Sequence, residues 1–328
     1  MTIRTIHLGA GGRGAWPIQA IAGRDDYESV ALVDVREQNL AAARELSGLA
    51  EEACFTSLDV ALNAVEADAV VVITPPDLHY QQCLDAVRAE KHVLVEKPFT
   101  KDLRQAQQIM READAAGLKI AVCQQRQLDP LATTLRGLIG DGLYGVPEFG
   151  LMTKFGWRPG THHSGDDRHA YLWERGIHDL DEIMAILDAR PVKVWSHSFN
   201  PSWSPYQGGG GFHGWVEFDN GTTFGLLCTF AAHSGGSSLR IECSGATIEQ
   251  VAGGLQVQVP GEEALVVALD ESDSEGGLLD GFRKYVEQGV EPPFSGRNNL
   301  VVVALIEALS TASDRGQVVD FDAEALTC

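Results

Sequence analysis

The first 122 residues alternate between short, continuous apolar runs and longer amphipathic stretches. Continuous apolar runs bounded by turns are typical of parallel strands that are covered on both faces. Five such strands are predicted: Ile3–Leu8, Ser29–Asp34, Ala69–Ile73, His92–Glu96 and Lys119–Cys123. Helical spacing of apolar residues predicts helices between them at Glu37–Ser47, Asp77–Glu90 and Asp102–Ala116. This regular alternation predicts a doubly wound parallel sheet.

The pattern changes after residue 122, where helices are predicted at Leu131–Ile139 and Ile177–Leu187. The segment Val192–Leu269 then consists of β-branched runs separated by turn signals, which predicts an antiparallel sheet. Its turn signals are Gly221, Gly245 and Gly253-Gly254, and the glycine run Gly208–Gly211 is interpreted as a mobile loop between strands. Two more helices, Leu278–Gln288 and Asn298–Ser313, are predicted near the end. We therefore expect an α/β protein with a dinucleotide-type domain at 1–122 and a second α/β domain at 123–328.

Charge and composition narrow the possible functions. The 328 residues contain 25 Lys and Arg against 46 Asp and Glu, a formal net charge of −21. Such a surface repels phosphate backbones and anionic lipids, so we expect neither a nucleic-acid partner nor a membrane partner. No apolar stretch is long enough for a spanning helix, and the first residues lack the features of a signal peptide. The six cysteines are scattered without a CxxC pair, which favours a cytoplasmic protein with reduced thiols.

A glycine-rich motif follows the first predicted strand directly. Gly9, Gly11 and Gly14 have GxGxxG spacing, with Gly12 and Arg13 between them. Glycines in this pattern allow a tight turn and a close approach of the backbone to a pyrophosphate, which the following helix start then binds.

An acidic residue completes this dinucleotide fingerprint about twenty residues further on. Asp34 ends the second predicted strand, where a carboxylate accepts hydrogen bonds from the adenosine ribose and repels a 2′-phosphate, so NAD is favoured. Arg36, two residues later, leaves NADP possible.

Two further motifs follow the third and fourth predicted strands. Thr74 and Pro75 open the first, which continues to His79, and the second is Glu96-Lys97-Pro98. The carboxyl ends of parallel strands border the ligand crevice of such a sheet, so both motifs are expected to face the cofactor.

Together these motifs resemble the glucose-fructose oxidoreductase / inositol dehydrogenase / MocA-like (Gfo/Idh/MocA) family. The resemblance extends through Cys123-Gln124-Gln125-Arg126, Gly176-Ile177-His178-Asp179-Leu180-Asp181 and Pro292-Pro293-Phe294-Ser295-Gly296. It implies an NAD(P)-binding Rossmann domain followed by a domain with a large, mainly antiparallel open sheet, through which the chain forms a homodimer or homotetramer. It further implies a sugar, inositol or polyol substrate. The cofactor-binding residues would be Gly9, Gly11, Gly12, Arg13, Gly14, Asp34, Arg36, Thr74, Pro75, His79, Glu96 and Gln125.

The resemblance also assigns the catalytic roles. Lys97 would hydrogen-bond the reacting oxygen, and His178 would accept the proton. Glu174, His178 and Asp181 are spaced so that a helix places them on one face beside an apolar stripe, as suits an oriented general base. The family usually has Asp where this chain has Glu174. Glutamate keeps the negative charge of the side chain but places it at a different position, because its side chain is longer. The predicted substrate contacts are Trp157, Arg158, His162 and Asp181.

Three alternatives compete with a sugar or polyol dehydrogenase. The His/Asp cluster at 162–169 resembles a metal site, but its spacing fits no closed zinc site, so no metal is predicted. NAD-dependent glycoside cleavage is the second, because Gly-Gly-Arg-Gly resembles that branch of the family, whose members tend to lack the lysine. A dinucleotide-binding sensor without turnover is the third. The presence of both Lys97 and His178 favours catalysis.

Overall fold

The computed structural model describes residues 2–161, 165–322 and 326. The chain forms two compact units. The first comprises the described residues up to Gln125 together with Glu275–Leu300, and the second comprises Arg126–Ser274 together with the described residues from Val301 onward. This division differs from a single boundary after residue 122. Segment 275–300 joins the first unit through long-range contacts, among them Tyr27 Oη to the Leu279 carbonyl at 2.7 Å.

Fifteen strands and nine α-helices are formed by the described residues. The strands are β1 Ile3–Leu8, β2 Tyr27–Val33, β3 Cys54–Phe55, β4 Ala69–Val72, β5 His92–Val95, β6 Ile120–Val122, β7 Pro147–Trp157, β8 Pro191–Phe199, β9 Gly211–Phe218, β10 Thr223–Thr229, β11 Ala231–Cys243, β12 Thr247–Val251, β13 Gly254–Gln258, β14 Leu265–Ala268 and β15 Val319–Asp320. The helices are α1 Ala15–Ala22, α2 Glu37–Ser47, α3 Leu58–Ala64, α4 Pro76–Arg88, α5 Leu103–Ala115, α6 Pro130–Gly140, α7 Ile177–Leu187, α8 Ser274–Gln288 and α9 Gly296–Arg315.

The first unit contains a parallel six-stranded sheet in the order β3-β2-β1-β4-β5-β6. The apolar runs that predicted its strands are buried as expected; in β4 every residue is buried. Because all six strands are parallel, their carboxyl ends lie at one edge of the sheet. Along this edge the chain leaves β1, β2, β4, β5 and β6 at the residues that the sequence analysis selected. The predicted Rossmann domain is confirmed.

The second unit contains a nine-stranded sheet in the order β14-β13-β12-β11-β7-β10-β9-β8-β15. Only β7 and β10 pair in parallel; the other pairs are antiparallel, which confirms the predicted mainly antiparallel sheet. Side chains of α6, α7 and α9 form one core with alternate residues of the strands. Other residues of β7 and β10 leave apolar side chains exposed, namely Phe149, Leu151 and Leu227.

Helix α7 has the predicted bounds, but a π-helical turn at Leu172–Gly176 precedes it and was not predicted. π-Helical turns interrupt the regular bonding of a helix and are frequent at functional sites.

Two further properties concern the compartment. Within the described ranges, no helix has the length and apolar character needed to cross a membrane. The five described cysteines are free thiols.

Candidate functional site

The loop after β1 requires glycine at two positions because other backbone atoms lie very close. A Cβ on Gly9 would collide with the Ile73 carbonyl oxygen, and one on Gly14 would collide with the Gly9 carbonyl oxygen. Gly12 is different: its φ is +55° and the space around it is open. The loop is thus packed against the end of β4, while Gly12 leaves a cradle that a phosphate group can approach.

Asp34 follows β2, and its carboxylate is oriented by three neighbours. Its Oδ2 accepts from the Ala10 N–H at 2.9 Å, its Oδ1 accepts from the Arg36 N–H at 2.9 Å, and Asn39 Nδ2 lies 3.1 Å from both oxygens. The Asp34 side chain therefore ties the glycine loop to the end of β2. The sequence analysis missed Asn39. Its side-chain amide occupies lone pairs of the Asp34 carboxylate that ribose hydroxyls would also use as acceptors.

Glu96 connects the glycine loop to Lys97. Its Oε1 pairs with Arg13 Nε at 3.2 Å, and its Oε2 accepts from the Lys97 backbone N–H at 2.7 Å. Arg13 is further held by Glu275 at 3.3 Å and by the side-chain oxygen of Gln125 at 2.6 Å. The structure thus brings Arg13, Glu96, Lys97 and Gln125 together in the first unit, with Lys97 half-buried.

His79 joins two loops at the same edge of the sheet. Its Nε2 lies 2.9 Å from the Thr74 carbonyl oxygen and its Nδ1 lies 2.8 Å from the Pro98 carbonyl oxygen. Burial lowers the pKa of His79, which exposes none of its surface. The structure therefore gives His79 a positioning role, whereas Pro75 and Arg36 are exposed.

In the second unit, Glu174 lies in the π-helical turn and is buried. It pairs with Arg158 and accepts from Tyr206 Oη at 3.1 Å. The Arg158 guanidinium also lies 3.7 Å from the centroid of the Phe230 ring. His178 follows one helical turn after Glu174 and is half-buried. The structure thus places predicted residues Glu174 and Arg158 in one contact, beside two aromatic residues that the sequence did not indicate.

Asp181 does not extend this polar face, which corrects the predicted stripe of Glu174, His178 and Asp181. It is 6% exposed, and its Oδ2 accepts from Gln127 Nε2 at 2.9 Å. Burial raises the pKa of Asp181 well above its ordinary value. Of the other predicted substrate contacts, Trp157 is 47% exposed, and His162 lies outside the described residues.

A buried charge cluster on α7 was missed by the sequence analysis. Lys154 Nζ lies 2.8 Å from Asp179 Oδ1 and 2.8 Å from Glu182 Oε2. Tyr171 Oη donates to the other Asp179 oxygen at 3.0 Å. Burial acts to lower the pKa of Lys154, but Asp179 and Glu182 outweigh it and the pKa is raised. Lys154 therefore remains an ammonium ion in the interior.

The glycine run 208–211 is closely packed, which corrects its interpretation as a mobile loop. Gly209 has a φ of +54°, and its carbonyl accepts from the Tyr171 N–H at 2.8 Å. A Cβ on Gly209 would collide with backbone atoms of Arg168 and His169. The glycines thus allow this loop to hold the start of the π-helical turn.

A cavity of about 390 Å³ opens in the second unit beside this helical segment. Tyr171, Arg175 and Glu182 line it at intervals of about one or two helical turns. The other lining residues are Arg126, Asp129, Leu131, Lys154, Phe155, Gly156, Thr229, Phe230, Gly236, Ser237 and Gln250. As for metals, no group of three or more His, Cys, Asp or Glu in the described part of the chain is arranged to hold an ion.

Residues 3–124 match the family described as an oxidoreductase family with an NAD-binding Rossmann fold, the Gfo/Idh/MocA family. This match covers the Rossmann domain of the first unit. NAD is accordingly its cofactor, and the open cradle at Gly12 and the fixed Asp34 carboxylate fit that dinucleotide.

Two curated relatives match a larger part of the chain. The uncharacterized protein y4oX of Sinorhizobium fredii is 30% identical over 67% of this chain and 64% of its own length. Inositol 2-dehydrogenase of Rhizobium meliloti is 30% identical over 59% of this chain and 58% of its own length. The chain thus spans less than two thirds of the curated relatives that it matches.

A solved structure extends the likeness over the whole fold. An oxidoreductase from Agrobacterium radiobacter, in complex with NAD+, L-tartaric acid and magnesium, has a TM-score of 0.88. The alignment covers 99% of this chain and 100% of that one, at 18% identity, so it shows a shared fold.

Proposed function

We propose that this protein is an NAD-dependent dehydrogenase or reductase that acts on a secondary alcohol or ketone of a sugar, inositol or polyol. The observation that carries the proposal is the Glu96 carboxylate, which joins Arg13 of the glycine loop to the backbone of Lys97. This contact couples the predicted catalytic lysine to the loop that binds the dinucleotide. The match of residues 3–124 to an NAD-binding oxidoreductase family supports the reaction class.

The proposed mechanism assigns one role to each of three side chains. Bound NAD supplies a hydride acceptor. Lys97 donates a hydrogen bond to the alcohol oxygen and stabilises the negative charge that develops there. His178 accepts the hydroxyl proton as general base. Glu174 lies one turn before His178 and is held by Arg158 and Tyr206. Its negative charge near the imidazole favours the protonated form of His178.

The open face of the second sheet is the proposed surface for assembly into a homodimer or homotetramer. Phe149 and Leu151 are 59% and 49% exposed there, and Leu227 lies nearby on β10. Contiguous exposed apolar side chains of this kind favour burial against another surface. We also propose a cytoplasmic location, on the scattered free thiols.

The reaction class is tested by following NADH fluorescence while the protein is mixed with NAD and a panel of sugars, inositols and polyols. We expect at least one alcohol to be oxidised, and its ketone to be reduced when NADH is supplied instead. If NAD binds but no alcohol in the panel is turned over, a dinucleotide sensor replaces the proposed enzyme.

Cofactor choice is expected to depend on Asp34. Replacing it by asparagine removes the charge that accepts from ribose hydroxyls and repels a 2′-phosphate, so the Kd of NAD should rise by about 10- to 100-fold. The Kd of NADP should change little or fall. Calorimetric titration of both dinucleotides measures this, with the exposed Asp59→Asn on α3 as control. An unchanged ratio of the two Kd values would remove Asp34 from the ribose site.

A further inference from the structure

Arg175 differs from the other cations around the cavity of the second unit. It lies in the π-helical turn and lines the cavity, yet its Nε is buried without an acceptor. None of the ion pairs among the described residues includes Arg175. Asp129 also lines the cavity but forms no ion pair with it. A partly buried guanidinium without an anionic partner is unfavourable, because it loses hydration without replacing it.

The neighbouring cations are compensated by protein carboxylates. Lys154 has Asp179 and Glu182 at 2.8 Å, and Arg126 lies 3.7 and 3.9 Å from the same two acids. Among the three cations that line the cavity, Arg175 is therefore the one without an ion pair to a carboxylate of the described residues.

The surroundings of Arg175 suit a small polar ligand. A cavity of about 390 Å³ lies within the usual range for small-molecule sites. Ser237 and Gln250 on its wall offer hydrogen bonds to hydroxyl groups, and the Phe230 ring offers an apolar face. Arg175 precedes His178 by three residues, about one helical turn. His178 itself does not line the cavity, so a group bound by Arg175 would belong to a part of the substrate away from the reacting carbon.

We propose that the substrate carries a carboxylate and that Arg175 binds it. A guanidinium presents two parallel N–H groups that match the two oxygens of a carboxylate, and the pair is strongest where water is excluded. The inference rests on the proposed dehydrogenase function and narrows its substrate to hydroxy acids and sugar acids. Arg175 is then a specificity-determining residue, separate from the residues that move the hydride and the proton.

The test compares substrates that differ only in a carboxylate: D-glucuronate with D-glucose, and D-gluconate with D-sorbitol. The wild type should have a higher kcat/KM for the acid of each pair. Arg175→Gln should lower kcat/KM for the acid by about 10- to 100-fold and leave the neutral partner nearly unchanged, because one charge-assisted contact is lost. Arg175→Lys should retain part of the preference, and Arg190→Gln, an exposed arginine just after α7, should retain all of it.

The outcomes separate this inference from the proposed function. Two results would overturn the role of Arg175 without contradicting the proposed dehydrogenase function. The first is turnover of neutral polyols with no preference for the acids. The second is an equal loss of kcat/KM for the acid and the neutral compound in Arg175→Gln. If no compound is oxidised, the proposed function fails, and calorimetric titration of D-gluconate into the NAD-saturated protein decides the binding site. Gluconate binding that Arg175→Gln abolishes supports the site, whereas no binding, or equal binding to both proteins, overturns it.

Discussion

Replacing Lys154 by methionine is expected to lower the free energy of unfolding by about 3–5 kcal/mol at pH 7, the usual cost of breaking a buried ion pair from one side. Lys154 is 14% exposed, and the side chains of Asp179 and Glu182 are 0% and 5% exposed. Methionine has a similar length, so the loss arises mainly from two carboxylates that stay buried without their ammonium partner. Urea denaturation followed by circular dichroism measures the change.

A matched control separates burial from simple charge removal. Lys193 pairs with Glu217 at 3.3 Å, but both side chains are about two-fifths exposed. Lys193→Met should therefore cost at most about 1 kcal/mol. Adding Glu182→Gln to Lys154→Met should recover part of the stability. Equal losses in the two lysine variants would show that the cluster contributes no more than a surface pair.

The raised pKa of Lys154 sets an alkaline limit to the stability that the cluster contributes in the wild type. A lysine whose folded pKa lies above its unfolded value stabilises the fold fully below the unfolded pKa, and the stabilisation is lost as the pH rises through the folded pKa. The contribution of Lys154 is therefore complete across the neutral range and is lost in strongly alkaline solution.

This cluster also shows where the sequence stops being informative. The strands of the first unit could be predicted because each is a local apolar run, and β1 and α2 have the predicted bounds. From the sequence alone, in contrast, the acids Asp179 and Glu182 are typical of a solvated helix face. Only the structure shows that Lys154 on β7 pairs with both of them. A pairing across 25 or 28 residues leaves no local signal.

In the candidate site, too, residues in local sequence patterns could be predicted, whereas contacts between residues distant in the sequence could not. Gly9, Asp34 and Lys97 could be found because each follows a predictable strand in a parallel sheet, whose carboxyl ends meet at one edge. Arg175 and Tyr206 could not, because their roles depend on an unpredicted π-helical turn and on the partners that folding brings to it. The contact between Arg13 and Glu96 could not be predicted either, because the two residues are 83 positions apart in the sequence and only folding brings them together.

The largest kinetic effects are expected at Lys97 and His178. Lys97→Met should lower kcat by about 10²–10³-fold, the usual effect of removing one donor to a developing oxyanion. His178→Asn should lower kcat by about 10²–10⁴-fold, because the hydroxyl proton then has no positioned acceptor. The Kd of NAD should stay close to the wild-type value in both variants. Stopped-flow measurement of NADH formation with the alcohol found in the substrate panel gives the rates.

The two variants should differ in their dependence on pH. Wild-type kcat should fall in acid as the imidazole takes up a proton and can no longer act as a base, and His178→Asn should lose this limb of the profile. Lys97→Met should keep it. The proposed mechanism has both groups act on one alcohol, and it therefore predicts that the double variant loses less than the product of the single losses. The exposed Lys284→Met on α8 should behave like the wild type. Single variants that keep the wild-type rate, or losses that multiply fully, would mean that Lys97 and His178 do not act on the same reacting group.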